Sequence, residues 1–92
     1  YLVDIPNGGN LLLRNTTLRK GPDHGNPTAA VMLGAEGVRH PTESLRVIGN
    51  RFENLMPRGT NFVENRTTTP VLLEGNTIRG PVVVLAGPGE VR

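Results

Sequence analysis

The residues that could carry chemistry in this 92-residue chain are few and far apart. It has no cysteine and only one serine, Ser44, so it lacks the material for a thiolate metal site or a serine triad. The only aspartates are Asp4 and Asp23. Glycoside hydrolysis normally needs an acid and a base paired across the sugar cleft. The sequence therefore leans against an enzyme, and we predict no catalytic residue.

The two histidines are isolated from one another. His40 and Glu43 could bring two metal ligands together, but no third ligand is visible near them. Gly-Pro-Gly-Glu at 87–90 reads as a turn, because the strand and helix that flank a phosphate-binding loop are missing. We therefore expect neither a metal site nor a cofactor.

Composition narrows the class of partner. The net charge is only +2, and the basic residues are interleaved with acids instead of forming a polybasic block, which argues against nucleic acid. The only aromatic residues are Tyr1, Phe52 and Phe62, so stacking on sugars or bases is almost unavailable. The apolar run 82–86, which no other apolar run exceeds, is too short to cross a bilayer, so no membrane partner is expected.

Three segments of the chain align with one another without gaps. They begin at Leu11, Leu45 and Val71, which are 34 and 26 residues apart. Each segment alternates apolar residues on one strand face, breaks at a Gly or Asn, and then resumes with an apolar residue. The aligned apolar sets are Leu11, Leu45 and Val71; Leu13, Val47 and Leu73; and Leu18, Phe52 and Ile78. Stacked repeats bury a face that no single repeat could bury alone, which predicts a solenoid.

A charged set supports the same alignment. Arg19, Glu53 and Arg79 occupy one aligned position, although they were not used to set it. Strands in a sheet lie about 4.8 Å apart, so we expect Glu53 to lie between two guanidinium groups.

The stretches V-x-I-G-N-x-F at 47–52 and L-x-E-G-N-x-I at 73–78 resemble the pectate-lyase-like family of right-handed parallel β-helices. The resemblance implies an all-β fold, a right-handed parallel β-helix of about three coils, within one domain spanning 1–92. In that family stacked Asn residues form a hydrogen-bonded ladder at a coil bend, and Asn50 and Asn76 match such positions. The alternatives are an antiparallel β-sandwich, which leaves the long repeats unexplained, and a left-handed helix, which needs a strict short period.

A second alignment, of 31–39 with 84–92, suggests that the stack continues. Both segments end in Val-Arg, and the first leads directly into the repeat at Leu45. By analogy another coil would follow Arg92, and the chain opens with Tyr1 instead of Met. We therefore expect a fragment of a longer stack, from an extracellular or cell-surface protein, that associates with adjoining coils or with copies of itself.

The repeats differ most in one connection. It spans 21–28 in the first repeat, 54–60 in the second, and only Gly80-Pro81 in the third. Insertions at one point of a solenoid gather on one side, where ligands often bind, although loops also vary simply because solvent tolerates it. We predict a basic ledge that binds an acidic polysaccharide, formed by Lys20, Asp23, His24 and Arg58 beside Arg19 and Arg79 on the strand edge.

Three functions remain open at this point. The first is a non-catalytic solenoid segment that binds acidic polysaccharide. The second is a structural module that associates end to end. The third is a fragment of a carbohydrate-active lyase, hydrolase or epimerase whose catalytic residues lie elsewhere in the parent protein.

Overall fold

A computed structural model describes residues 1–92 as an all-β chain of eleven strands. The strands are β1 (Val3–Ile5), β2 (Leu11–Arg14), β3 (Thr17–Lys20), β4 (Ala29–Leu33), β5 (Leu45–Ile48), β6 (Arg51–Asn54), β7 (Thr60–Asn65), β8 (Val71–Glu74), β9 (Thr77–Arg79), β10 (Val82–Ala86) and β11 (Gly89–Val91). No helix in the structure could span a membrane.

The strands form three sheets in which every pairing is parallel. Sheet I has the order β2-β5-β8-β11, sheet II has β3-β6-β9, and sheet III has β1-β4-β7-β10. The chain visits the three sheets in turn and then returns one strand further along each, which is consistent with a β-solenoid. An antiparallel sandwich is excluded, because hairpins would pair neighbouring strands in opposite directions.

The alignment of the three repeats is confirmed residue for residue. In sheet I, Leu13 pairs with Val47, and Val47 pairs with Leu73. In sheet II, Phe52 lies between Leu18 and Ile78. These apolar sets form the interior of the stack. The Phe52 ring stacks on the Phe62 ring at a centroid distance of 5.4 Å.

The second alignment is wrong by one residue. It equates Val31 with Val84, whereas the strands pair Val31 with Val63 and Val63 with Leu85. The alignment matches Gly34 with Gly87, but Met32 and Ala86 both pair with Glu64, so Gly87 lies one residue earlier in its coil than Gly34. A shared glycine at a strand end therefore does not fix the register in sheet III.

The end of the chain also differs from that alignment. Val91, which was equated with Val38 in a loop, lies in β11 and pairs with Leu73. The first residues of a further turn of sheet I are therefore already present at 89–91. Core residues at both ends of the stack, such as Leu13 and Ile78, are only half-buried. These are the edges at which adjoining coils or copies are expected.

The bend between sheets I and II is tied together by side-chain amides. Asn50 Nδ2 donates to Leu13 O at 3.0 Å and to Asn76 Oδ1 at 3.1 Å, and Asn50 Oδ1 accepts from Thr16 N at 2.9 Å. Asn76 Nδ2 donates to Val47 O at 2.9 Å. Each amide thus links its own coil to the preceding one, where the turn leaves backbone groups unpaired by strand hydrogen bonds.

A second set of side-chain amides orders the loops that follow β6 and β7. The Oδ1 of Asn54 accepts from Met56 N at 3.0 Å, while its Nδ2 donates to Arg58 O at 2.9 Å and to Pro81 O at 3.0 Å. Asn65 makes the same three bonds with the backbone of Thr67, Thr69 and Pro88. One buried amide therefore shapes its own five-residue loop and fixes it to the next coil.

Candidate functional site

The connections that differ in length between the repeats lie on one side of the stack, because the strands that they follow are stacked in sheet II. The first loop spans 21–28 and the second 55–59, while 80–81 forms a tight link. A pocket of about 400 Å³ lies between the first two loops. Its lining consists of Pro22, Asp23, His24, Gly25, Met56, Pro57 and Arg58. The structure thus brings together Asp23, His24 and Arg58 of the six predicted ledge residues.

Each wall of the pocket is anchored by the residue that ends its strand. Asn54 holds the second wall through Arg58 O, as described above. Lys20, which pairs with Asn54 in register, holds the first wall by donating from Nζ to Asn26 O at 2.5 Å. The same ammonium donates to Thr60 Oγ1 of the next coil at 3.3 Å. A long cationic side chain therefore fixes the eight-residue loop, where a short amide suffices for the five-residue loop.

Lys20 is consequently not a surface residue of the ledge, contrary to expectation. Its relative accessibility is 0%, and no carboxylate lies within 4.0 Å of its ammonium. Loss of hydration lowers the pKa of Lys20 below its ordinary 10.5. A sequence signal for this burial existed, since Leu18 points inward and strand alternation places residue 20 on the same side.

His24 is held neutral by its surroundings. Its Nε2 is buried and has no hydrogen-bond partner. Loss of hydration lowers the pKa of His24 below 6.5, and the positive charge of Lys20 adds to the shift. At neutral pH the imidazole therefore contributes shape to the pocket, while the charges that reach solvent are those of Arg58 and Asp23, both exposed.

The remaining two predicted residues, Arg19 and Arg79, lie on the outer face of sheet II and do not line the pocket. Arg19 Nη2 lies 3.6 Å from Glu53 Oε2. Arg79 pairs with Glu53 in register but has no carboxylate within 4.0 Å, so Glu53 has one ion-pair partner instead of two. Arg51 on the same outer face was missed, because the alignment set it opposite uncharged Thr17 and Thr77.

Replacing Lys20 with Met is expected to remove a pH dependence of stability. The pKa is lowered only in the folded state, so between that lowered value and 10.5 the unfolded chain binds more protons. The contribution of Lys20 to the stability of the parent chain should therefore rise with pH across this window and stay constant below it. Lys20 is the only lysine, and Met keeps most of its apolar stem.

The measurement is the urea midpoint of parent and Lys20→Met at about pH 7 and about pH 10. Only the parent should gain stability at the higher pH. Parallel changes in the two proteins would show that the buried ammonium is not the group responsible.

The pocket is lined by a guanidinium and a carboxylate, with no Phe, Tyr or Trp and no cluster of three metal-ligating side chains. A guanidinium can bind an oxyanion through two parallel hydrogen bonds, and a carboxylate can accept from hydroxyl groups. The pocket therefore holds one group that can bind an oxyanion and one that can accept from hydroxyl groups. No family model, curated protein or solved structure matches this chain.

Proposed function

We propose that this chain is a non-catalytic segment of a right-handed parallel β-helix, from a secreted or cell-surface protein, that binds an acidic polysaccharide. The observation that carries the proposal is the pocket between loops 21–28 and 55–59, where Arg58, Asp23 and His24 converge. Three parallel sheets visited in turn support the solenoid part. Its right-handed sense is supported by the strong preference of parallel crossover connections for that hand.

The chemistry of the pocket favours a sugar that carries a carboxylate. Arg58 would take the carboxylate as a bidentate pair, which is the geometry that a guanidinium matches best. Asp23 would accept hydrogen bonds from neighbouring sugar hydroxyls. A fully sulfated or phosphorylated ligand would lack these hydroxyl donors and so would match Asp23 less well. Binding of this kind is polar and weakens as salt is added.

The walls are suited to hold such a ligand without large rearrangement. The carbonyl of Arg58 is fixed by Asn54, and the first wall is fixed at Asn26 by the buried Lys20 ammonium. Met56 at the base is 3% exposed. Prior ordering of a site lowers the entropy lost on binding.

Replacing Arg58 with Ala is expected to weaken binding of a galacturonate oligomer about tenfold, because one charge-assisted bidentate contact is lost. The measurement is calorimetric titration at low salt, with a neutral oligosaccharide of the same length as the ligand control. Arg39→Ala is the protein control, since Arg39 is exposed, has no ion pair and lies outside the pocket.

His24→Ala should also weaken binding, through loss of the pocket wall. If the parent chain binds no acidic oligomer at low salt, the proposed function is wrong. Equal affinities for Arg58→Ala and Arg39→Ala would instead place the ligand elsewhere on the chain.

A further inference from the structure

The outer face of sheet II presents charged and hydroxyl side chains in three neighbouring strands. The members of this basic face are Thr17 and Arg19 of β3, Arg51 and Glu53 of β6, and Thr77 and Arg79 of β9. All are exposed except Glu53, which is half-buried. Their common orientation follows from strand alternation, because the intervening residues Leu18, Phe52 and Ile78 point into the core.

Charge is concentrated on this face. It carries three arginines against one glutamate, a net charge of +2, which equals the formal net charge of the whole chain. The other charged groups therefore cancel one another. Glu53 lies within 4.0 Å of Arg19 alone, which leaves Arg51 and Arg79 without any carboxylate partner. Two free guanidinium groups on a rigid sheet are available for an anion.

The spacing of these groups is set by the sheet. Arg51 pairs with Thr17 and Thr77, so Arg19 and Arg79 are its diagonal neighbours. Diagonal neighbours across paired strands are about 7–8 Å apart, and strands two apart are separated by about 9.6 Å. The three arginines therefore form a zigzag that runs across the strands, along the direction in which the coils stack.

We propose that the basic face binds a linear polyanion that lies across β3, β6 and β9, with Arg51 as the central contact. The ligand class rests on the proposed function: the same acidic polysaccharide that places one sugar in the pocket continues over this face. The two sites adjoin, since β3 and β6 lead directly into the pocket loops. Thr17 and Thr77 supply hydroxyls to sugar groups between the carboxylates.

A polysaccharide is favoured over single-stranded nucleic acid on this surface. Non-specific binding of single strands combines a basic groove with aromatic side chains on which bases stack. The basic face has no aromatic residue, and the pocket of the structure lies in the loops beside it. Guanidinium and hydroxyl groups repeated from strand to strand match a chain that bears carboxylates and hydroxyls along its whole length.

The test compares Arg51→Gln with Arg39→Gln, two substitutions that remove the same charge from exposed, unpaired positions. Affinities are measured for galacturonate oligomers of increasing length and across a salt series. For long oligomers, Arg51→Gln should weaken binding about three- to fivefold and reduce its salt dependence. For the shortest oligomer that binds the parent, Arg51→Gln should have no effect, whereas Arg58→Ala should weaken binding at every length.

The outcomes separate the two proposals. If Arg58→Ala weakens binding while Arg51→Gln matches Arg39→Gln at all lengths, the pocket stands and the basic face is refuted. If Arg51→Gln weakens binding of long oligomers while Arg58→Ala does not, the basic face stands and the pocket is refuted. Tighter binding of single-stranded DNA than of the long oligomer, lost in Arg51→Gln, would overturn the assignment of the ligand class.

Discussion

Gly80→Ala should remove a large part of the stability of this domain. Gly80 has a φ of +93°, a conformation that costs an L-residue about 1–2 kcal/mol. An added Cβ would also overlap the backbone carbonyl oxygen of Asn54, which lies in the coil beneath. The overlap is with backbone, so no side-chain rotation relieves it.

The expected loss of stability is large because the displaced residue, Asn54, orders the whole loop that follows β6. Asn54 bonds to Arg58 O and Pro81 O, and moving it breaks both the second pocket wall and the link to the third coil. Because backbone strain, steric overlap and lost hydrogen bonds add together, we expect the free energy of unfolding to fall by more than about 4 kcal/mol. A domain of this size has only about 5–14 kcal/mol in total.

Urea unfolding followed by circular dichroism measures the effect, with Gly21→Ala as the matched control. Gly21 has no heavy atom within 4 Å of an added Cβ and lacks a left-handed φ. The control should unfold close to the parent midpoint. A midpoint for Gly80→Ala equal to that of Gly21→Ala would contradict the packing described for this link.

Periodicity and turn chemistry were sufficient to predict the stacking of sheets I and II. Leu13, Val47 and Leu73 pair with one another in sheet I because each lies two residues before the same kind of short bend. The bend therefore fixes the register of each strand against its neighbours. Sheet III could not be predicted in this way. The adjacent inward residues Phe62 and Val63 break the period of two, and β4 is buried along its whole length.

The candidate site was only partly predictable for a similar reason. Loop length identified the side of the stack and three residues of the pocket, because loops that follow stacked strands must emerge together. Charge alone suggested that Lys20 faces solvent, whereas its position in the strand alternation sends it inward. Arg51 could not be predicted from the repeats, because it lies opposite two threonines and therefore shares no charge pattern with the other coils.

Asn50→Ala is expected to lower the free energy of unfolding by about 3 kcal/mol, because three partly buried hydrogen bonds are lost at once. Leu13 O and Thr16 N lose their side-chain partner, and Asn76 Oδ1 loses one of its two donors. Asn50 is 2% exposed and lies in the middle coil, so water cannot readily replace its amide.

Asn76→Ala provides the comparison that tests this explanation. Asn76 is half-buried in the last bend, but its partners are Val47 O and two nitrogens of Asn50, and both of these residues are at most 2% exposed. We therefore expect a loss comparable to that of Asn50→Ala, about 3 kcal/mol. For a domain of this size each kcal/mol lowers Tm by about 4–8 °C, so thermal unfolding measures both losses. A loss below about 1 kcal/mol for Asn76→Ala would show that burial of the bonded partners does not set the strength of the ladder.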